Sequence, residues 1–408
     1  MGVVAPRGED EALDQNLDIS ADSRERFARL DLSRVPSPCF VVDAAQIERN
    51  CAILADVAAQ SGGHVFLALK AFSMHALAPV IMRYLSGTAA SGIHEARLGR
   101  EKFGGHVATF NAGFKPDELA QVLRVSDHVI FNSASQARRF RPQLLAAQAE
   151  GLTVEAGLRI NPEHSEGWNE KYDPAAACSR LGAPVSRVTE ADLDGLSGLH
   201  MHTLCEQGFA PLARTWAAVE PTIGPWLHKL KWLNLGGGHH ITKGDYDRDG
   251  LIGLIRHIRT TYDVEVYLEP GEAVALQAGI LVGEILDLTE NSMPLAITDI
   301  SATCHMPDVI EAPYRPDLLG ELPEGDAPAI RLGGPSCLAG DVIGDFRPAV
   351  PWAVGDRFAF LDQAHYSMVK TNTFNGVPLP ALAILDSRTD DLRVIREFGY
   401  DDFLNRLS

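Results

Sequence analysis

The chain has 408 residues, is 46% hydrophobic and carries a formal charge of −18. Its length predicts about two to three domains with ample apolar material for a core, and its acidity disfavours nucleic acid and anionic membrane, which both require clustered cations. With no run of about 18 uncharged apolar residues, no basic-then-apolar leader and no C-x-x-C pair among Cys39, Cys51, Cys178, Cys205, Cys304 and Cys337, a cytoplasmic protein with reduced thiols is expected, and no cysteine zinc site.

Residues 1–34 are polar and acidic without a sustained period, and are read as a mobile arm. From "PCFVVDA" onward the chain becomes dense. Between 65 and 271, eight short strand-like runs alternate with longer helical patterns. They are 65–70 "VFLALK", 88–91 "TAAS", 107–110 "VATF", 128–132 "HVIFN", 155–160 "EAGLRI", 198–203 "GLHMHT", 232–236 "WLNLG" and 266–269 "VYLE". This is the pattern of parallel β/α units, and eight of them predict a closed (β/α)8 TIM-like barrel of the α/β class.

After "EPG" at 269–271 strands follow without helices between them: "GILVGEILDL", "PLAITDISAT", "APAIRL", "DRFAFLD", "ALAILDS" and "DLRVIREF". They predict a C-terminal β-rich domain at 276–408, following a barrel at 35–275, with residues 35–45 a candidate to pack with the β domain. The Pro- and acid-rich stretch 311–328 reads as an excursion between strands.

Polar residues collect where the barrel strands end, which is where this architecture carries function. Lys70 closes an apolar run, so its head is either led into solvent along its stem or desolvated into a usable nucleophile towards an aldehyde. Asn132 and Arg159 lie near the ends of the fourth and fifth strands. "HMH" puts His200 and His202 on one face, either joined by "HH" at 239–240 in a metal site or, as favoured here, with a ring stacked on an aromatic cofactor. Gly236, Gly237 and Gly238 form either a tight turn or a nest of amides for a phosphate. Glu269 is either a cap or a carboxylate that keeps a pyridine nitrogen protonated.

The stretches "LALKAFS", "GLHMHTLCEQ", "LNLGGGHH", "LEPGEA", "GGPSCLAGDVIGD" and "DQAHYSMVKTNTFNGV" resemble those of the carboxynorspermidine/carboxyspermidine decarboxylases. These are a branch of the fold-type III pyridoxal-phosphate enzymes that also include ornithine, arginine and diaminopimelate decarboxylases. The resemblance runs from residue 35 to the C-terminus. It implies pyridoxal 5'-phosphate as cofactor, Lys70 as the Schiff-base lysine and His202 stacked on the ring. Gly236, Gly237, Gly238 and Tyr366 would hold the phosphate, Glu269 would pair with the ring nitrogen, and Arg159 would lie under the cofactor. It further implies a homodimer in which Cys337 enters the partner's site and gives a proton to the reacting carbon.

Two departures from relatives that act on small amino acids favour a substrate with additional ammonium groups. Glu272 stands where arginine commonly follows "EPG", and Cys205 followed by Glu206 stands where a serine is usual. Glu206, Glu272 and Asp341 are therefore candidates to bind the amines of a small cationic carboxylated polyamine, and residues 163–181 a loop over the entrance. The competing readings are the same machinery acting on diaminopimelate, ornithine or arginine, an amino-acid racemase, and a non-catalytic regulator. Glu206 and Glu272 speak against the first, the Glu269 carboxylate against the second, and the presence of Lys70 and Cys337 against the third.

Overall fold

The computed structural model describes residues 22–167 and 170–408. They form two compact units. One comprises the described residues up to Arg49, Gln277–Ala364 and Thr371–Ser408; the other comprises Asn50–Leu276 and His365–Lys370. No helix among the described residues is long and apolar enough to cross a membrane.

The first strand, β1 (Cys39–Asp43), belongs to the first unit and is buried at every position. The second unit then builds a barrel from β2 (His64–Ala68), β3 (Gly87–Ala90), β4 (His106–Asn111), β5 (His128–Phe131), β6 (Glu155–Asn161), β8 (Gly198–His200), β9 (Trp232–Asn234) and β10 (Glu265–Leu268), with a two-residue β7 (Ala183–Pro184) added beside the end of β6. The barrel strands are all parallel in the order β5-β4-β3-β2-β10-β9-β8-β6, and pairing of β5 with β6 closes the ring. All eight strands expected from the sequence are present.

Near-continuous apolar runs form these strands because both faces are covered. The helices between them bury one stripe each: Arg248–Tyr262 turns Leu251, Ile252, Ile255, Ile258 and Tyr262 inward, and starts where the Asp247 carboxylate accepts the Gly250 N–H at 2.8 Å. Phe66, Ala89, Ala108, Ile130 and Trp232 pack within the barrel. Large and small residues alternate there for a steric reason. A Cβ on Gly198 would fall 2.0 Å from the Trp232 indole, so only glycine leaves room for that ring.

The first unit resumes with β11 (Gly279–Glu290), β12 (Pro294–Thr298), β13 (Ile330–Gly333), β14 (Val342–Phe346), β15 (Arg357–Leu361), β16 (Ala381–Asp386) and β17 (Asp391–Arg396). They form one mixed sheet in which β1 lies between β11, antiparallel to it, and β16, parallel to it. Its core joins Cys39 and Val41 to Ile280, Val282, Ala359, Leu361, Ala383 and Leu385.

Two domain expectations need correction. The part of the expected arm that lies within the described residues, 22–34, is folded: the helix Ser23–Ala28 is capped by Asp22, and Phe27 and Leu30 enter the first unit's core. Residues 1–21 lie outside the described residues. Residues 35–45, the candidate to pack with the β domain, lie in the β-rich unit together with 46–49, because β1 pairs only within that sheet. Finally, the barrel unit takes back His365–Lys370 from within the expected β domain.

Candidate active site

The barrel unit holds a cavity of about 520 Å³ lined by Lys70, Arg159, His202, Glu206, Glu269 and Glu272, and by residues 171–174 and 176–181. It lies at the ends of the strands, where the chain must turn and side chains are released from the pleat. After β2 the chain turns at Ala68–Ala71, with the Ala71 N–H on the Ala68 carbonyl. Leu69 and Ala71 are buried on either side, and Lys70 is presented to the cavity between them.

The Lys70 ammonium can meet solvent inside the cavity yet is enclosed by the barrel. That enclosure lowers its pKa, and the Arg159 charge lowers it further, against the opposing pull of Glu269 and Glu95. More of the amine is therefore neutral than for a lysine in water, which is what a nucleophile towards a carbonyl requires.

Glu269 follows β10 and is held from two sides. Its Oε1 accepts Asn234 Nδ2–H at 2.7 Å, and its Oε2 lies 3.3 Å from His200 Nε2. Burial alone would raise its pKa; His200, the bonds from His200 and Asn234, and Lys70 together bring it below the usual carboxylate range. Burial also lowers His200, with Glu269 opposing. The arrangement that satisfies both is an ionised Glu269 accepting from a neutral His200.

His202 stands two residues beyond His200. Its Nδ1 accepts the Gly237 N–H at 3.0 Å, so its proton is on Nε2. Burial, then Lys70 and Arg159, hold its pKa well below the imidazole range. The ring is thus a flat, neutral surface. Arg159, on β6, lies 4.5 Å over the Phe110 ring and donates to the His202 carbonyl at 3.3 Å. Burial lowers its pKa to about 10, with Glu269 opposing, so it stays charged at neutral pH.

The glycines after β9 are required by close approach. A Cβ would fall 2.0 Å from the Glu269 carbonyl at Gly237 and 1.9 Å from the Leu204 carbonyl at Gly238, and Gly236 and Gly238 have φ of +73° and +84°. The amides differ from a three-donor nest: Gly236 N–H is taken by Asn234 Oδ1 at 2.8 Å and Gly237 N–H by His202. Among the described residues, only Gly238 of the three keeps its N–H without an acceptor. Tyr366 also lines the cavity, its N–H fixed to the Ala71 carbonyl at 2.8 Å.

Glu206 and Glu272 share one side of the cavity. Burial raises the Glu206 pKa, and Glu272 raises it further. Glu272 is approached by His240 Nε2 at 3.1 Å and His365 Nδ1 at 3.8 Å. The loop expected over the entrance supplies residues 171–174 and 176–181 to the lining, and Asn132 anchors it: Nδ2–H donates to the Arg180 carbonyl at 2.8 Å and Oδ1 accepts Gly182 N–H at 2.7 Å.

Cys337 and Asp341 belong to the first unit and do not line this cavity. Cys337 is exposed, its N–H bonded to Asn375 Oδ1. Asp341 is buried with its oxygens occupied by Ser301 Oγ–H at 2.8 Å and by the Thr303 and Ser336 N–H groups at 3.2 Å. These bonds tie the segment carrying Ser336 and Asp341 to Ser301 and Thr303. Asn234 and His365 were not singled out from the sequence, although a polar residue inside the apolar run "WLNLG" was a visible signal; His240, weighed there only as one of a group of metal-binding histidines, stands beside Glu272.

No protein-family model matches the chain. It is 38% identical over 383 residues to the carboxynorspermidine/carboxyspermidine decarboxylase of Campylobacter jejuni, spanning 91% of this chain and 98% of that one. It is 40% identical over 379 residues to the carboxyaminopropylagmatine decarboxylase of Synechocystis, spanning 92% and 96%. Among solved structures, the C. jejuni carboxynorspermidine decarboxylase complexed with norspermidine superposes with a TM-score of 0.82 at 36% identity, over 91% of this chain and all of that one.

Proposed function

The chain belongs to the carboxynorspermidine/carboxyspermidine decarboxylases, carboxy-lyases of polyamine biosynthesis, and from that premise we propose that it converts carboxynorspermidine or carboxyspermidine to the free triamine with pyridoxal phosphate as cofactor. When bound, that cofactor supplies an aldehyde for amines and a protonated pyridine ring that draws electrons from the substrate's α-carbon.

The donor set fits such a group. Lys70, with its lowered pKa, is the amine for the aldehyde. Glu269, kept ionised by Asn234 and His200, would hold a proton at the pyridine nitrogen. His202 would offer its neutral face to the ring, with Arg159 among the residues that hold the cofactor, and the Gly238 amide and Tyr366 would take the phosphate. Glu206 and Glu272 receive the substrate's ammonium groups through charge-assisted hydrogen bonds. In a homodimer, Cys337 serves the partner's cavity and delivers a proton to the α-carbon. We place the enzyme in the cytoplasm.

The observation that carries this reading is the ionised, doubly held Glu269 within the cavity that Lys70 lines. An unprotonated ring nitrogen, as racemization prefers, would sit poorly against that carboxylate. A second substrate deserves testing because of the Synechocystis relative: a carboxyaminopropyl chain ending in a guanidinium rather than an ammonium.

Two experiments decide. Borohydride reduction of the protein with its cofactor is expected to fix pyridoxyl to the peptide containing Lys70; a label on Lys243, or none, refutes the cofactor assignment. Incubation with carboxynorspermidine, carboxyspermidine, carboxyaminopropylagmatine, ornithine and diaminopimelate, read by mass spectrometry, is expected to yield the triamines. Consumption of only ornithine or diaminopimelate would overturn the substrate.

A further inference from the structure

Two imidazoles converge on one oxygen of Glu272. His240 Nε2 stands 3.1 Å and His365 Nδ1 3.8 Å from Oε1. The three side chains come from separate places in the barrel unit: His240 from the segment after the glycine run, Glu272 from the start of the helix Glu272–Ala275, and His365 from the returning segment His365–Lys370. All three are largely buried, with side-chain exposures of 7%, 14% and 13%. His240 Nε2 is at ion-pair distance from the carboxylate but not aligned as a hydrogen bond.

We infer that His240 and His365 are positioning residues that hold Glu272 as the docking point for the secondary ammonium of a carboxylated triamine. The inference rests on the proposed substrate reading and adds to it the groups that aim the carboxylate. Its physical basis is the choice of partner. An arginine would fix a carboxylate more tightly but cancel its charge and fill its acceptor sites. Two imidazoles set against one oxygen limit the carboxylate's motion, and an imidazole, unlike a guanidinium, brings no permanent charge to cancel it. Glu206 lines the same cavity, where burial and then the Glu272 charge push it towards its neutral form.

The test compares His240→Leu, His240→Gln and Glu272→Gln in the cofactor-loaded enzyme, with a melting curve for each. Both the KM for the carboxylated triamine and the Kd for norspermidine by calorimetry are measured, and putrescine, which has no secondary amine, serves as control. Expected for His240→Leu is about a tenfold rise in KM and in the norspermidine Kd, a smaller change in kcat, and no matching change for putrescine; His240→Gln, which keeps a polar side chain at this position, should recover most of the loss. A His240→Leu enzyme that binds norspermidine as tightly as the parent, or loses kcat instead, overturns the inference, as does failure of His240→Gln to rescue. If Glu272→Gln weakens norspermidine binding while His240→Leu does not, only the positioning role fails. If Glu272→Gln itself changes neither constant, the substrate reading at this carboxylate fails with it. Should His240→Leu melt early, the same comparison made with His365→Gln and His365→Leu decides.

Discussion

His200 Nε2 lies 3.3 Å from Glu269 Oε2 while Asn234 Nδ2 holds the other oxygen at 2.7 Å. Neither partner brings a permanent positive charge. The carboxylate therefore keeps its full charge for whatever cationic group enters the cavity, and neutral hydrogen bonds offset its desolvation. Replacing it by an isosteric amide is the direct probe. Glu269→Gln is expected to fold and to lower kcat by about 10²–10³-fold; an undiminished kcat would remove the electron-sink role.

The same pair sets an acid limit. The Glu269 pKa is held below the ordinary carboxylate range, so the charged form persists as pH falls and is lost only on passing through that lowered value. Asn234→Ala removes one of the bonds responsible and raises the pKa. The acidic limb of the kcat profile is expected to move towards neutral pH. A limb that stays put, or moves further into acid, contradicts this.

In the first unit Arg26 and Asp43 form an ion pair with side-chain exposures of 3% and 0%, Nε to Oδ2 at 3.3 Å. Burial lowers the pKa of Arg26 and raises that of Asp43, each towards its neutral form. Such a pair adds little over an apolar replacement but is costly to break on one side. Arg26→Leu should cost about 3–5 kcal/mol in urea denaturation, and the double variant Arg26→Leu with Asp43→Asn should recover most of it. Equal loss in both variants would show that packing alone matters here.

Asn132 spans Arg180 and Gly182 with both ends of its amide. Asn132→Ala loses two hydrogen bonds, about 1 kcal/mol each, in a segment that lines the cavity. Faster proteolytic cleavage within 163–181 is expected, together with a KM raised several-fold and a melting temperature nearly unchanged. Resistance to cleavage equal to the parent's would mean the loop is anchored elsewhere.

The barrel was legible because each strand is a short apolar run and each helix has its own stripe; these two periods survive without any knowledge of tertiary contacts. β14 was not, because "VIGDF" mixes a glycine and an aspartate into a half-buried strand. The folded state of 22–34 was obscured for a related reason: its acidic composition outweighs the few apolar anchors, Phe27 and Leu30, that decide its fate. In the site, charge was readable and bonding was not. Asp341 and Glu272 look alike in sequence, yet one is bound up by Ser301, Thr303 and Ser336 while the other lines the cavity. The glycine run was visible as a motif, but that Gly236 and Gly237 spend their amides on Asn234 and His202 depends on neighbouring strands.

The barrel unit is not one stretch of chain, since the hexapeptide His365–Lys370 returns to it from far downstream. That short piece brings Tyr366 to the cavity wall and His365 to Glu272. A gene fragment ending at Leu276 would therefore encode a barrel stripped of two of its own side chains, and neither recombination nor truncation at that point could hand the chemistry on intact.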